Sequence, residues 1–159
     1  MSYTLNTTED YHIHDLNSLG WELTVCNALY PPASPCRKAL QSDKSFGYLL
    51  YHFLEKIFPL QNVRNILEIG GGIGNLMHDF LSLNTQLKAT MIDISPYLLT
   101  RQKEHLQDFS VDFREMDILQ IDPHTLVSFD LVIMNENLGD LSTLVANSTD
   151  DAVSVEVSL

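Results

Sequence analysis

Apolar and polar positions follow two rhythms along this chain. Phe46, Leu49, Leu50, Phe53, Leu54 and Ile57 recur at the spacing of one broad helical stripe. Ser42 offers an N-cap, Asp43 suits the positive end of the helix, and Pro59 marks its exit. The stripe reads as core, and Tyr48 and Tyr51, which lie off it, read as surface. Upstream, Leu16, Leu19, Leu23, Cys26 and Tyr30 also recur at helical spacing until Pro31-Pro32-Ala33-Ser34-Pro35 stops them. Residues 1–14 are polar and read as irregular.

The second rhythm starts at Asn65. Asn65–Ile69 is a near-continuous apolar run, the pattern of a strand covered on both faces. A helix follows near Asn75–Leu83, with Leu76, Met77, Phe80 and Leu81 inward. Leu87–Ile92 reads as a second strand ending at Asp93. Ser95 caps a helix that opens on Pro96 and runs to about Gln107, with Arg101, Lys103 and Glu104 outward. Ser110–Met116 is a third strand ending at Asp117, and Phe129–Met134 a fourth, ending at Asn135-Glu136. Strands alternating with helices predict an α/β fold with a parallel sheet. Beyond Asn135, Leu138–Ala146 reads as helical, Asn147–Asp151 as a polar break, and Val153–Val157 as a further strand.

Composition narrows the function classes. The 159 residues suit one domain, and a net charge of −12 disfavours a nucleic-acid partner, which needs clustered Lys and Arg. Cys26 and Cys36 match neither a CxxC redox pair nor a zinc pattern, so reduced thiols in a cytoplasmic protein are the expectation. His12 and His14 have no evident third ligand, and no metal site is expected. The N-terminus lacks the pattern of a signal peptide, and no apolar run reaches membrane-spanning length.

All four strands end in a polar or acidic residue: Glu68, Asp93, Asp117 and Asn135. In a parallel sheet these ends line one edge, where ligands bind at the point of strand reversal. The first strand also leads into Gly70-Gly71-Gly72-Ile73-Gly74, a tight turn into a helix. No register of these glycines fits the G-x-G-x-x-G of dinucleotide sites, which argues against an NAD-dependent oxidoreductase.

The pattern E-x-G-x-G-x-G from Glu68 to Gly74 resembles the first motif of class I S-adenosylmethionine (SAM) methyltransferases. Asp93-Ile94-Ser95-Pro96-Tyr97-Leu98-Leu99 is similar to the D-x-S-P-x-x-L stretch after their second strand. Asp112–Asp117 and Phe129–Asn135 resemble their third motif and fourth strand. The resemblance spans Asn65–Asn135 and implies a Rossmann-like sheet of order 3-2-1-4, with Val153–Val157 as a candidate fifth strand. It implies SAM as cofactor and transfer of a methyl group to a small-molecule or protein acceptor. Glu68, Gly70, Gly72 and Gly74 would serve the methionine end, Asp93 the ribose and Asp117 the adenine, with Gly71 and Ile94 as further cofactor-binding residues. Asn135 would border the cofactor and the transfer position, and Glu136 is the candidate base beside it. The N-P-P-Y signature of methylation on nucleic-acid amines is absent.

The family sheet has seven strands, so its C-terminal part is expected to be missing here. Residues 1–60 are expected to be a helical extension or lid, and 61–159 the cofactor-binding core, a fragment or minimal variant. A non-catalytic SAM-binding protein or partner subunit is the alternative. An apolar fourth strand left at an edge would invite a second copy and weaken turnover.

Overall fold

The computed structural model describes residues 3–6, 24–141 and 143–146. In chain order its elements are β1 (Tyr3–Asn6), α1 (Val25–Leu29), α2 (Pro35–Ala39), α3 (Phe46–Leu54), β2 (Asn65–Ile69) and α4 (Asn75–Leu83). Then come β3 (Lys88–Asp93), α5 (Pro96–His105), β4 (Val111–Glu115), α6 (Pro123–Leu126), β5 (Leu131–Met134) and β6 (Thr143–Ala146). Short 3₁₀ turns lie at Leu60–Asn62, Ile118–Gln120 and Leu138–Asp140.

β2 to β5 form one parallel sheet in the order β4-β3-β2-β5, the expected arrangement. Ile69 of β2 pairs with Ile92 of β3 and Met134 of β5, and Asp93 of β3 pairs with Glu115 of β4. The carboxyl ends therefore finish level along one edge. Strand order reverses at β2, so a crevice is expected above its end.

The apolar run of β2 is buried on both faces, because successive side chains point opposite ways. Ile66 packs with Met91, Ile133, Leu76, Met77, Phe80 and Tyr51. Leu67 and Ile69 pack on the other face with Ile92, Ile118, Leu126 and Phe129. Glu68 shares the face of Ile66, and this alternation draws a carboxylate into the core at the strand's end. α5 starts as its sequence predicts: Ser95 accepts the Leu98 N–H, and Pro96 takes the first helical position.

Several expectations need correction. α3 is turned from the predicted stripe: Tyr51 is buried, while Phe53 and Ile57 are 57% and 68% exposed. The cause is Gly47, which lets α3 approach α4 so closely that a Cβ there would lie 2.6 Å from Asp79 Oδ2. The aromatic ring of Tyr51 then meets Phe80 edge-on at 5.2 Å. Ser45, not Ser42, precedes α3, and Ser42 instead closes a turn onto the Lys44 N–H. Leu138–Ala146 is no helix, since a 3₁₀ turn leads into β6, which pairs antiparallel with β1 from Tyr3↔Ala146 to Asn6↔Thr143. Tyr3–Asn6 is thus a strand where irregular chain was expected. Leu16, Leu19, Leu23, the His12–His14 pair and Val153–Val157 lie outside the described residues.

Arg37 ties the end of α1 to the segment that leads into α3. It is 9% exposed and donates to three backbone carbonyls, those of Leu29, Tyr30 and Asp43. These include final carbonyls of α1 that have no partner within the helix. Arg37→Ala should destabilise the protein by about 2–3 kcal/mol in urea unfolding, the scale of charge-assisted hydrogen bonds lost from a buried site. A loss below about 0.5 kcal/mol would show those carbonyls to be satisfied by water instead.

Candidate functional site

The turn after β2 is built by backbone geometry that glycine alone adopts at low cost. Gly70, Gly72 and Gly74 have φ of +65°, +56° and +89°. Gly70 continues the ladder by donating to the Ile92 carbonyl at 2.8 Å, and Gly74 forms the N-cap of α4. Space differs along the turn. A Cβ on Gly71 would collide with Met91 Cε at 2.5 Å, whereas one on Gly72 would meet nothing within 4 Å. The middle of the turn therefore faces open space while its flanks pack on protein.

Four strand ends surround this turn. Glu68 is 2% exposed, and burial, followed by the nearby charge of Asp93, pushes its carboxyl up to about 8. Its Oε2 has no hydrogen-bond partner among the described residues. Asp93 is buried, with Oδ1 accepting the Ser95 N–H at 2.9 Å and Oδ2 the Gln102 amide at 3.0 Å. Ile94, half-buried, follows it. Asp117 caps the turn Ile118–Gln120 by accepting the Leu119 N–H at 2.9 Å. It stays next to β3, because Met116 donates to the Asp93 carbonyl at 3.0 Å.

Asn135 and Glu136 close the site on the β5 side. Glu136 adopts φ +59° and accepts the Val25 N–H at 3.2 Å, so its carboxylate fastens the start of α1. Asn135 donates to Glu136 at 3.2 Å and to Cys26 Sγ at 3.4 Å. Burial raises Cys26 to about 12, with Glu68, Glu136 and Asp79 adding to the effect in that order. Cys26 is therefore a neutral thiol facing carboxylates, and both cysteines are free. α1 is tied again where Asn75 donates to Asn27 Oδ1 at 2.9 Å.

The structure thus gathers Glu68, Gly70–Gly74, Asp93, Asn135 and Glu136 around the β2 end, with Asp117 one strand further out. Three contributors were missed in the sequence. Asn137 donates to the Ile69 carbonyl and covers Gly70. Asn75 is buried at the first position of α4. Gln102 is wholly buried on the face of Leu98 and Leu99. A signal existed for Gln102, since it is a polar residue at a position of α5 where the helical period calls for an apolar one. Among the described residues no cluster of His, Cys, Asp and Glu could hold a metal ion, and no helix is long and apolar enough to cross a membrane.

The chain is similar to known proteins. A family model described as "Methyltransferase domain" matches residues 67–153, more than half of the chain. Polyamine aminopropyltransferase 1 of Aquifex aeolicus (strain VF5) is 30% identical over 79 residues, which cover 48% of this chain and 28% of that protein. The plantazolicin methyltransferase BpumL, solved with S-adenosylhomocysteine (SAH), superposes with a TM-score of 0.54 at 16% identity, over 80% of this chain and 45% of that one. A SAM-dependent methyltransferase from Clostridium acetobutylicum ATCC 824 gives a TM-score of 0.46 at 19% identity, over 62% and 39%. The BpumL match shows the shared Rossmann-like fold. This chain spans less than half the length of each of these three proteins.

Proposed function

The chain belongs to the methyltransferase-domain family, and from that premise we propose that it binds SAM at the carboxyl edge of its sheet and directs methyl transfer to a small-molecule or protein acceptor. The observation that carries this reading is the left-handed glycine turn, open at Gly72 and level with two buried carboxylates, Glu68 and Asp93. The residues fit the cofactor's chemistry. Glu68 Oε2, buried without a donor, suits an ammonium group. Asp93 is a carboxylate of the kind that accepts ribose hydroxyls, and Ile94 and Asp117 lie where adenine would follow. SAM supplies a methyl group already activated on a sulfonium sulfur.

The protein's part is then to hold the acceptor in line and keep water out. Asn135 and Cys26 form the wall beyond the turn. Glu136, bound to the α1 N–H, serves to draw residues 24–30 over the site as a lid. A cytoplasmic, reduced protein is in keeping with the two free thiols. Val132, 37% exposed on the outer strand β5, supports a covering second copy.

The identity with an aminopropyltransferase favours a second reading, transfer of an aminopropyl group to a polyamine. A single-turnover assay separates the two. The protein is mixed with candidate acceptors, polyamines included, in parallel reactions with methyl-labelled SAM or with decarboxylated SAM, which carries the aminopropyl group. Product masses are read, and an aminopropyl gain with methylthioadenosine released supports the second reading. Label in the acceptor, with SAH formed, supports methyl transfer. Bound SAM without any turnover would leave a cofactor-binding protein only.

Asp93→Ala should weaken SAH binding by about 1.5–3 kcal/mol, the range for losing hydrogen bonds to a charged group. Equal calorimetric affinity in a folded variant would remove Asp93 from the site.

A further inference from the structure

We infer that Gln102 is the positioning residue of this site, one buried amide that sets the glycine turn and the Asp93 carboxylate in a fixed relation; the inference rests on the reading of the cleft as a SAM site. Gln102 projects from α5 and is 0% exposed. A primary amide in an apolar interior is costly unless it is hydrogen-bonded. Its Nε2 has two hydrogens, and both are used. One goes to the Gly72 carbonyl at 2.9 Å and the other to Asp93 Oδ2 at 3.0 Å. Those acceptors belong to different walls of the cleft, the turn after β2 and the end of β3.

Each contact has a consequence for a ligand. No peptide bond among the described residues is cis, so the Gly72 C=O and the Ile73 N–H point in opposite directions. Drawing the carbonyl inward to Gln102 turns the Ile73 N–H away from the core. An N–H so placed, just ahead of α4, is a donor for an anionic group such as the cofactor's carboxylate. On the other side, Gln102 and the Ser95 N–H each take one oxygen of Asp93, which fixes the plane of the carboxylate. A carboxylate held in a fixed plane presents its acceptor directions to ribose hydroxyls in a fixed geometry. Glutamate lacks the donors, and asparagine is one methylene shorter.

The test compares wild type with Gln102→Met and Gln102→Leu, which keep the bulk and remove both hydrogen bonds. SAH affinity is measured by calorimetry, and the Gly72 and Ile73 amide resonances are followed in the free proteins. The expected result is an affinity loss of about tenfold or more in variants that still unfold cooperatively, with a lowered melting temperature, the scale of two lost hydrogen bonds. The Ile73 amide should shift in both variants before any ligand is added. A folded variant that binds as wild type does, or whose Gly72 and Ile73 resonances stay in place, overturns the assignment. So does failure of both variants to fold, which would make Gln102 structural. Wild type that binds no SAH removes the underlying cofactor reading as well, a result distinct from equal binding by all three proteins.

Discussion

Gly72→Val should reduce SAH binding at least about 100-fold, a change of about 2.7 kcal/mol, while the chain still folds. Two effects combine at this position. Gly72 has φ +56°, and a β-branched residue there is forced into a left-handed conformation. That strain is of order 1–3 kcal/mol, tolerable for a protein of ordinary stability. The added side chain meets no protein atom within 4 Å, so it does not disrupt packing. It occupies the open space that the proposed ligand needs. Gly71→Val would be a poor substitute, because a Cβ there already overlaps Met91 and damages the core. Normal SAH binding by folded Gly72→Val would reduce the turn to a connector between β2 and α4.

Glu68→Gln should change how stability depends on pH. Burial, and then Asp93, hold the Glu68 carboxyl at about 8 in the folded protein against an ordinary 4.5. Between those values the folded state binds more protons than the unfolded state, so stability falls as pH rises. The contribution is fully present below 4.5 and is lost as pH climbs through about 8. The shift corresponds to about 3–5 kcal/mol in total. The Gln side chain keeps the volume and cannot ionise. Urea unfolding at about pH 5 and about pH 9 should therefore show a steeper loss in wild type than in the variant. Parallel curves would mean that Glu68 is ionised in the folded state at neutral pH. Under the proposed function, a cation beside Glu68 also favours its ionised form. SAM binding should then release a proton, visible as a dependence of the binding heat on the buffer.

The parts of this fold that were legible in the sequence are those with local causes. Asn65–Ile69 is apolar on both faces and ends in glycine, so its identity as a buried strand needs no distant partner. Ser95 with Pro96 announces a helix start by capping chemistry alone. The four strand ends could be placed on one edge because parallel strands linked by helices leave little choice. The features that escaped depend on contacts far along the chain. β1 and β6 pair across nearly the whole sequence, and Thr143–Ala146 alone carries too little pattern to exclude a helix. The rotation of α3 is set by Gly47 meeting Asp79, an absence of side chain that a hydrophobic stripe does not register. The contact of the Glu136 carboxylate with the Val25 N–H joins residues 111 positions apart, which no local pattern announces. Gln102 and Asn137 joined the site for the same reason, since their partners lie on other elements.

A crystal structure of the protein with SAH tests the central claim most directly. The account predicts the ligand across the glycine turn at the β2 end. Its ammonium should lie near Glu68, its ribose hydroxyls on Asp93, and its sulfur should face Asn135 and Cys26. SAH bound away from Gly70–Gly74, or an intact site that stays empty at saturating SAH, would contradict it.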